Sequence, residues 1–477
     1  MDYIEGSNRN QLILFPQSLD EYISEDNPVR FIDAFVESLD LKELGFRHSV
    51  LQETGRPPYH PSVLLKLYVY GYLNRIRSSR LLEKEANRNV EVIWLTGKLA
   101  PDFKTIANFR RDNGKAVREV CRAFTRFCRD LDLFGGELVA IDGSKFKAVN
   151  NKGRNFTDRK LKRTMKDIDK KIDAYLQELD ENDAKEPEER KLTTEELKEK
   201  IKTLRERMKK YKGFQKQMEE SGETQISLTD PDSRSMPVGG GRTTDVAYNV
   251  QMSVDEKHKM IVDHEVTNEV TDRSLLRQMS ERAKEALGVE ELDVLADMGY
   301  YDGQQVKECI EEGITPYIPK ADTSANRKLG LFAKDDFRYD SEQDCYWCPS
   351  GEKLTYRFQT IEKGRGRKYY ATPACSQCKP KSKCTRSKDG RRITRWVYEE
   401  VLEEMEARVQ DEPDKVKLRK TLAEHPFGTI KRHMDQGYFL MRGLPNVGAE
   451  MSLTVLAYNI KRAVKILGVQ KMVHALV

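Results

Sequence analysis

The chain has 477 residues, of which 38% are hydrophobic and 34% are charged, a profile that predicts a soluble protein of about two to four structural units. Its net charge of +5 comes from 83 basic and 78 acidic residues, so the overall charge does not by itself indicate a nucleic-acid binder. The sequence has no apolar run long enough for a membrane span, and its polar N-terminus is unlike a signal peptide. We therefore expect a cytoplasmic protein without a membrane segment.

Helical periodicity marks residues 1–135. Pro28 and Pro61 stand in the first turns of two predicted helices, and apolar residues follow each of them at helical spacing. Further helices are predicted over 78–87 and, as one long segment, over about 105–130. The sequence therefore predicts an all-α N-terminal domain.

Basic residues are concentrated in the same region. A helix that lays its N-terminal part on nucleic acid carries cations of this kind, but an ordinary solvated helix face carries them too. The candidates for phosphate contacts are Lys104, Arg110 and Arg111.

After residue 135 the pattern changes to short strands. The strand-like runs cover 138–141, 246–252, 260–266, 292–296 and 315–318. Helical stretches are predicted between them over 272–287 and 304–313. The order of three strands, a helix, a strand, a helix and a strand predicts an α/β core with a mixed sheet.

Residues 158–220 interrupt this core with dense alternating charge and two series of apolar residues at heptad spacing. A polar break containing Pro187 separates the series, and Thr193 with Glu196 forms a capping box for the second helix. The pattern predicts an antiparallel helical hairpin. Its apolar stripes are most simply used in packing the two arms together, and a dimer contact through the hairpin is the alternative.

Acidic residues follow two of the predicted strands. Asp142 comes after the first strand and Asp297 after the fourth, while Glu424 opens an apparent helix that carries Lys431 and Arg432. Carboxylates from strand ends and a helix can converge at one sheet edge, where they repel one another unless divalent cations neutralise them. Such a cluster is typical of phosphoryl transfer with two hard cations. Taken singly, an Asp after a strand is more often a turn or helix-cap residue.

Glu450 is an alternative to Glu424. Lys431 follows Glu424 by seven positions and Lys420 precedes it by four, and we prefer Glu424 because of the family resemblance that this spacing supports below. Glu450 belongs instead to a predicted C-terminal helix whose apolar residues face the core.

Residues 230–242 are rich in Gly, Pro and Ser and predict a loop. Asp230 and Asp232 lie close enough in sequence to the predicted strands to be considered as metal ligands. A turn-forming role is the interpretation that we favour for both.

Cysteines form a cluster between the second and third carboxylates. Cys345 with Cys348, and Cys375 with Cys378, make two C-x-x-C pairs separated by 26 residues (375 − 348 − 1), and Cys384 follows. Two such pairs supply the four thiolates of a tetrahedral structural zinc site, and a reduced, metal-free loop is the alternative. Basic and aromatic residues surround the cluster, so that a compact ribbon here would bind a phosphate backbone. The remaining cysteines are expected to be buried in helices: Cys121, Cys128 and Cys309.

Several sequence motifs resemble those of bacterial insertion-sequence transposases of the DDE type, whose catalytic domain has a ribonuclease H-like fold. In the N-terminal part these are NPVRFIDAFVESLDL, HPSVLLKLYVYGYL and DFKTIANFRRDN. In the centre they are AIDGSKFKA, LTDPDSRSM, AYNVQMSVD and DMGYYDG. In the C-terminal part they are EHPFGTIKR, FLMRGLPNVGAEMSL and LAYNIKR. Their order and number make the resemblance specific and extend it nearly end to end.

The resemblance implies that Asp142, Asp297 and Glu424 form the metal-binding triad and hold two Mg²⁺ (or Mn²⁺) ions. Glu424 and Lys431 match the family's signature of Glu, six residues and Lys. The Tyr that precedes this Glu in the family signature is absent, which leaves the role of the tyrosine in doubt.

The same resemblance implies that DNA is the partner, both as terminal repeats of a mobile element and as target. DNA contacts are expected from Lys431, Arg432, Lys420 and Arg234. Because each element end needs an active site, we expect at least a homodimer on DNA.

The predicted domains are 1–135 for a helical DNA-binding or assembly domain, 136–157 with 221–322 for the first part of the ribonuclease H-like core, 158–220 for the hairpin, 323–398 for a cysteine-rich basic insertion, and 399–477 for C-terminal core helices with the third carboxylate.

The predicted function is cutting the ends of the element and joining them to target DNA. A catalytically idle, transposase-derived DNA-binding protein and a ribonuclease H-like host nuclease are the alternatives. The intact set of carboxylates argues against the first, and strand joining would exclude the second.

Overall fold

The computed structural model describes residues 18–50, 57–183, 192–238, 242–320, 324–362 and 364–476. Pro187, in the predicted break of the hairpin, and residues 239–241 of the predicted loop lie outside these ranges. Among the described helices, none is both long and apolar enough to cross a membrane.

The helices, in chain order, are α1 (Pro28–Glu37), α2 (Pro61–Leu73), α3 (Ser79–Ala86), α4 (Val90–Leu95), α5 (Phe103–Asp112), α6 (Gly114–Asp130), α7 (Asp158–Asp183), α8 (Thr194–Ser221), α9 (Leu276–Leu287), α10 (Gly303–Glu311), α11 (Ala325–Lys328), α12 (Glu399–Asp411), α13 (Pro413–Gly428), α14 (Leu444–Leu467) and α15 (Val469–His474). The strands are β1 (Leu138–Lys147), β2 (Asn155–Thr157), β3 (Gln225–Ser227), β4 (Arg234–Val238), β5 (Thr243–Asp255), β6 (Ile261–Thr267), β7 (Leu292–Leu295), β8 (Ile314–Tyr317), β9 (Arg338–Asp340), β10 (Cys345–Trp347), β11 (Lys353–Glu362), β12 (Arg365–Ala371) and β13 (Ile393–Trp396).

The chain divides into two compact units. Unit 1 comprises Met1–Gly135, Gly143–Val270 and Glu424–Val477, and unit 2 comprises Gly136–Asp142 and Thr271–Ala423. Strand β1 and helix α13 each contribute residues to both units. The strands pair antiparallel in unit 1 and parallel in the core of unit 2, which confirms the prediction of a mixed α/β fold.

Unit 1 begins with the predicted helical region. Asn27 caps α1 by accepting a hydrogen bond from the backbone N–H of Val29 at 3.0 Å. Phe31 and Phe35 on the buried face of α1 pack against Phe124 of α6, with ring centroids 6.0 and 5.3 Å away. The prediction of a helical N-terminal region is confirmed.

The single long helix predicted over about 105–130 is wrong, because α5 and α6 are separate. Asn113 lies between them with φ −115° and ψ 25°, outside the helical range. Its side chain accepts a hydrogen bond from the N–H of Arg47 at 2.7 Å and donates one to the carbonyl of Phe109 at 2.9 Å. These side-chain bonds hold the backbone in a break that apolar periodicity does not reveal. Helix α4 was not predicted either.

Helix α14 is the central helix of unit 1. It packs on α2, α6 and β6, and almost all of its residues from Val447 to Ile460 are buried. The side chain of Asn459 accepts a hydrogen bond from the N–H of Ile261 at 2.9 Å and donates one to the carbonyl of Ile261 at 2.7 Å. The predicted C-terminal helix with a core-facing surface is therefore confirmed.

Part of the loop predicted over 230–242 is a strand. Strand β4 pairs antiparallel with β5, with Met236 opposite Asp245, and Met236 is fully buried. Pro237 has no N–H to donate, so it fits β4, which is the terminal strand in its row. The sequence did not predict this strand, because its one large apolar residue stands among small and polar residues that are typical of turns.

The hairpin of α7 and α8 uses its apolar stripes internally. Ile168 and Ile172 of α7 pack with Ile201, Leu204 and Met208 of α8. At the base, the start of α7 packs on the end of α8, as in an antiparallel pair, and β2 pairs with β3. This is the simpler of the two interpretations of the heptads.

Unit 2 contains a parallel core. The first part of β1 pairs with β7, and β7 pairs with β8. Helices α12 and α13 cover these strands through a buried apolar cluster: Leu138, Ala140, Leu295, Tyr317, Leu422 and Ala423, with Val409, Val416 and Leu418 at its margin. The α-helical stretches predicted between the strands are α9 and α10.

A second, antiparallel sheet of unit 2 lies within the predicted insertion at 323–398. Its strand order is β13-β12-β11-β10-β9. Its interior consists of five buried side chains, namely Phe337, Tyr346, Leu354, Tyr370 and Ile393. This is a small core for a sheet of its length.

The hairpin core generates the first prediction. Leu204→Ala removes a buried side chain from the seam and should destabilise the hairpin by about 2–4 kcal/mol. Hydrogen exchange of the peptides from 158 to 221 should then be faster by roughly 30-fold or more. Arg205→Ala, at the neighbouring exposed position, is the matched control and should leave exchange unchanged. Equal exchange in the two variants would contradict the packing.

Candidate active site

Asp142 and Asp297 extend neighbouring parallel strands of unit 2. In the register of β1 and β7, Ala140 stands opposite Leu295. Two residues beyond this pair come Asp142 (140 + 2), which is still within β1, and Asp297 (295 + 2), which follows the end of β7. The first two predicted carboxylates therefore follow the paired segments of two neighbouring parallel strands.

A glycine holds the Asp297 carboxylate in position. Asp297 accepts a hydrogen bond from the N–H of Gly299 at 2.7 Å and caps a short 3₁₀ turn. A Cβ atom at position 299 would lie only 2.8 Å from Oδ1 of Asp297. Asp297 thus performs the cap role that its sequence also suggested, and one carboxylate oxygen remains outside that bond.

Arg419 of α13 supplies positive charge at Asp142. Its Nη1 lies 3.3 Å from Oδ2 of Asp142, and both side chains are 21% exposed. The ion pair is thus partly shielded from water, where charges interact more strongly than at the surface. The guanidinium therefore balances the negative charge of Asp142. Sequence analysis missed Arg419, which no motif singled out.

Glu424 lies near the C-terminal end of α13 rather than at the start of a helix, so that part of the prediction is wrong. Its side chain is exposed. The two residues before it, Leu422 and Ala423, pack in the cluster with Ala140 and Leu295 of the strands that lead to Asp142 and Asp297.

The helix changes its winding after Glu424. Residues Thr429–His433 form a π-helical turn, a feature often found at functional sites. The Nζ of Lys431 in this turn donates to Oγ of Ser144 at 2.6 Å and to the carbonyl of Lys145 at 2.9 Å. Lys431 therefore contacts β1 only two residues beyond Asp142.

The described part of the chain contains no group of three or more His, Cys, Asp or Glu residues placed to hold a metal ion. Asp142, Asp297 and Glu424 all supply hard oxygen donors, which are the ligands that Mg²⁺ prefers. The ion pair with Arg419 shows that the Asp142 carboxylate binds a positively charged group.

Glu450 has the contacts of an interior structural residue. It is 1% exposed, it accepts hydrogen bonds from the N–H groups of Leu440 and Met441 at 3.0 Å, and Arg77 lies 3.5 Å away. Burial raises the pKa of its carboxyl, and the positive charge of Arg110 opposes that rise. These partners tie α14 to the segment before it.

Asp230 and Asp232 perform a similar anchoring role. Asp230 accepts hydrogen bonds from the hydroxyl of Tyr248 at 2.8 Å and from the N–H of Gly443 at 3.0 Å. Asp232 accepts one from the N–H of Leu444 at 2.7 Å. Both carboxylates lie at the N-terminus of α14, where its dipole favours negative charge.

The candidate phosphate contacts differ in exposure. Arg110 is buried, donates to the hydroxyl of Tyr72 at 3.0 Å and lies over the ring of Tyr68, so it has no surface to offer DNA. Arg234 is 12% exposed and pairs with Glu223 at 2.6 Å. Arg111 is exposed but paired with Asp112. The side chains with the most accessible charge are Lys104, Lys420 and Arg432.

All eight cysteines are free thiols. Cys345 is 1% exposed inside β10, whereas Cys348, Cys375, Cys378 and Cys384 are partly exposed. Burial therefore sets Cys345 apart from the other four cysteines of this segment. The predicted burial of three helical cysteines is confirmed for Cys121, Cys128 and Cys309.

Two family descriptions match parts of the chain. Residues 17–112 are similar to the family described as Transposase domain (DUF772), and residues 347–464 to the family described as Transposase DDE domain. The first match covers α1 to α5. The second runs from the end of β10 into α14 and includes Glu424 and Lys431. A comparison with curated proteins gives no match.

The Asp142–Arg419 pair generates the second prediction. In metal-free buffer, Arg419→Gln should lower the free energy of unfolding by about 1 kcal/mol, and it should have little effect in an Asp142→Asn background. The measurement is a double-mutant cycle by denaturant unfolding. Lys420→Gln, at the adjacent exposed position, is the control and should be additive with Asp142→Asn. An additive Arg419 cycle would contradict the ion pair.

Proposed function

We propose that the chain is a transposase that cuts the ends of a mobile DNA element and joins them to target DNA. The similarity of residues 17–112 and 347–464 to two transposase domain families supports this proposal. The observation that carries it is the parallel pairing of β1 with β7, the strands that lead to Asp142 and Asp297. The order of strands and helices along the chain supports a ribonuclease H-like core. The matched DDE domain includes the proposed third carboxylate, Glu424.

Asp142, Asp297 and Glu424 are the residues that would hold two divalent cations. When bound, Mg²⁺ or Mn²⁺ supplies Lewis acidity for the attacking hydroxyl and the leaving oxygen in phosphoryl transfer. The apolar packing of Leu422 and Ala423 on the strands gives the carboxylates a rigid support. The Gly299 N–H keeps one oxygen of Asp297 occupied and so orients the other.

Arg419 would have to release Asp142 when a cation binds there. Its guanidinium balances the charge of Asp142 in the metal-free structure. Once released, it becomes available to a phosphate of the bound DNA, with which a guanidinium forms bidentate contacts.

Lys431 is proposed to contact a phosphate close to the scissile bond. Two of its partners, the Ser144 hydroxyl and the Lys145 carbonyl, are neutral, and a phosphate binds an ammonium group more strongly than such groups do. Lys104, Lys420 and Arg432 are proposed as further phosphate contacts because their side chains are exposed. Arg111 and Arg234 could join them only by leaving Asp112 and Glu223.

The carboxylates generate the third prediction. Asp142→Asn, Asp297→Asn and Glu424→Gln should each lower Mg²⁺-dependent cutting of terminal-repeat DNA by at least about 100-fold, because each removes a negative charge from the cation site. Binding of the same DNA, measured by fluorescence anisotropy, should persist. Cutting and strand joining are scored separately on a gel.

Asp411→Asn and Glu404→Gln change exposed carboxylates on α12 in the same way and should retain normal cutting. Wild-type protein that binds terminal-repeat DNA but never cuts it would support an idle DNA-binding protein. Cutting without joining would support a nuclease. Full activity of Asp142→Asn would overturn the assignment of the triad.

The fourth prediction concerns assembly. Each end of an element requires an active site, and joining requires the two ends to meet, so we propose that two chains act together on DNA. Light scattering of the complex with paired terminal repeats should give the mass of at least two chains. The hairpin seam is filled by its own residues, so Leu204→Ala should not abolish assembly. An active complex with a single chain on paired ends would refute the dimer.

A further inference from the structure

The turn after β10 presents the thiol of Cys348. The N–H of Gly351 donates to the Cys348 carbonyl at 2.9 Å, and the N–H of Glu352 lies 3.3 Å from the Cys348 sulfur. Gly351 has φ 79°, a conformation that favours glycine. Backbone contacts of this kind support and orient metal ligands.

A second segment brings three further thiols to the same place. Cys375 lies in the 3₁₀ turn Pro373–Ser376, and Cys378 follows two residues after that turn. The sulfur of Cys378 lies 3.7 Å from the hydroxyl oxygen of Ser350, in the turn that presents Cys348. Short backbone bonds then lead through Lys381 to Cys384.

Cys384 lies within electrostatic reach of the other three. Its thiol interacts electrostatically with the thiols of Cys375, Cys348 and Cys378. Cys348 and Cys384 also pack against the same apolar core of the small sheet. Together with the contact between Cys378 and Ser350, these interactions place the four cysteines in one region of the insertion.

Cys345 has different surroundings. It alternates along β10 with Tyr346, which belongs to the apolar core, so the two side chains point to opposite faces of the strand. Burial raises the pKa of the Cys345 thiol, and the charged groups that act on it include Lys353 and Asp340. Its 1% exposure is that of a packed interior side chain.

We propose that Cys348, Cys375, Cys378 and Cys384 form a structural zinc site, in which Cys384 takes the place that spacing alone gave to Cys345. Four thiolates complete the tetrahedral set that Zn²⁺ binds in structural sites. In this ligand set only Cys375 and Cys378 form a C-x-x-C pair. The fold brings the two single cysteines, Cys348 and Cys384, to that pair.

The small sheet has a physical need for such a site. Its interior consists of five large side chains, and a core of that size supplies little stability without a metal or a disulfide. The residues from Pro373 to Arg392 are held by short turns rather than by strand pairing. A zinc ion would fasten this segment to the turn after β10.

The same segment carries closely spaced cations. They include Lys379, Lys381, Lys383 and Arg386. Their positive charge lowers the electrostatic cost of gathering four thiolates, and an ordered segment would present these cations to a phosphate backbone at a fixed spacing. Among the described residues the four thiols are not close enough to form a metal-binding group, so zinc binding would require them to move closer together.

The test is elemental analysis of full-length protein purified in reducing buffer without chelator. Wild-type protein should contain about one zinc ion per chain. Cys348→Ser and Cys384→Ser should each reduce the zinc content at least about tenfold, since loss of one of four ligands opens the site. Cys345→Ala is the matched control and should retain the zinc content of the wild type.

A second measurement avoids the chance that a variant fails to fold. Wild-type protein is alkylated before and after zinc removal with a chelator, and the modified cysteines are mapped by mass spectrometry. Cys348, Cys375, Cys378 and Cys384 should be protected only while zinc is bound. Zinc-free wild-type protein, full zinc in Cys384→Ser, or zinc loss in folded Cys345→Ala would overturn the proposal. None of these measurements depends on DNA cutting, so failure of the zinc proposal and failure of the proposed function can be distinguished.

Discussion

The ion pair between Asp142 and Arg419 joins the parallel strands of unit 2 to α13. Both side chains are 21% exposed, so the two charges meet where water screens them only in part. Ala140, Leu295, Leu422 and Ala423 fix the strands and α13 in one apolar cluster, and this packing holds the two charged groups where they meet. Under the proposed function, the same packing would preorganise the carboxylates for a cation.

Most of the core could be predicted from sequence because its strands are continuous apolar runs and its helices have a strong apolar period. The elements that escaped prediction are those set by side-chain hydrogen bonds or by sheet partners. Asn113 breaks a helix through bonds to Arg47 and Phe109, and neither bond leaves a trace in periodicity. Strand β4 exists because β5 offers it a partner and buries Met236. Glu424 was placed at a helix start because the residues before it lack a clear apolar stripe.

Charge was harder to interpret than apolar pattern, because a cation in the sequence reports neither burial nor pairing. Arg110 and Arg111 are neighbours, yet the first is enclosed by Tyr68 and Tyr72 and the second pairs with Asp112 at the surface. The same ambiguity separates the two candidate glutamates. Glu450 satisfies backbone N–H groups in the interior of unit 1, where a buried charge needs partners that remain in place. Glu424 is exposed and is therefore free to accept a ligand.

The cysteines show the same difference between spacing and geometry. Two C-x-x-C pairs predict a zinc set that includes Cys345, but β10 turns alternate residues to opposite faces, and this strand commits Cys345 to a buried position. A metal site needs thiols that can turn toward a common point, which residues in turns do more readily than residues paired in a sheet. Cys348 lies just beyond the strand, and Cys375, Cys378 and Cys384 lie in or beside short turns. In the proposed zinc site, the end of the strand is thus a better guide to the ligand set than the regularity of the sequence motif.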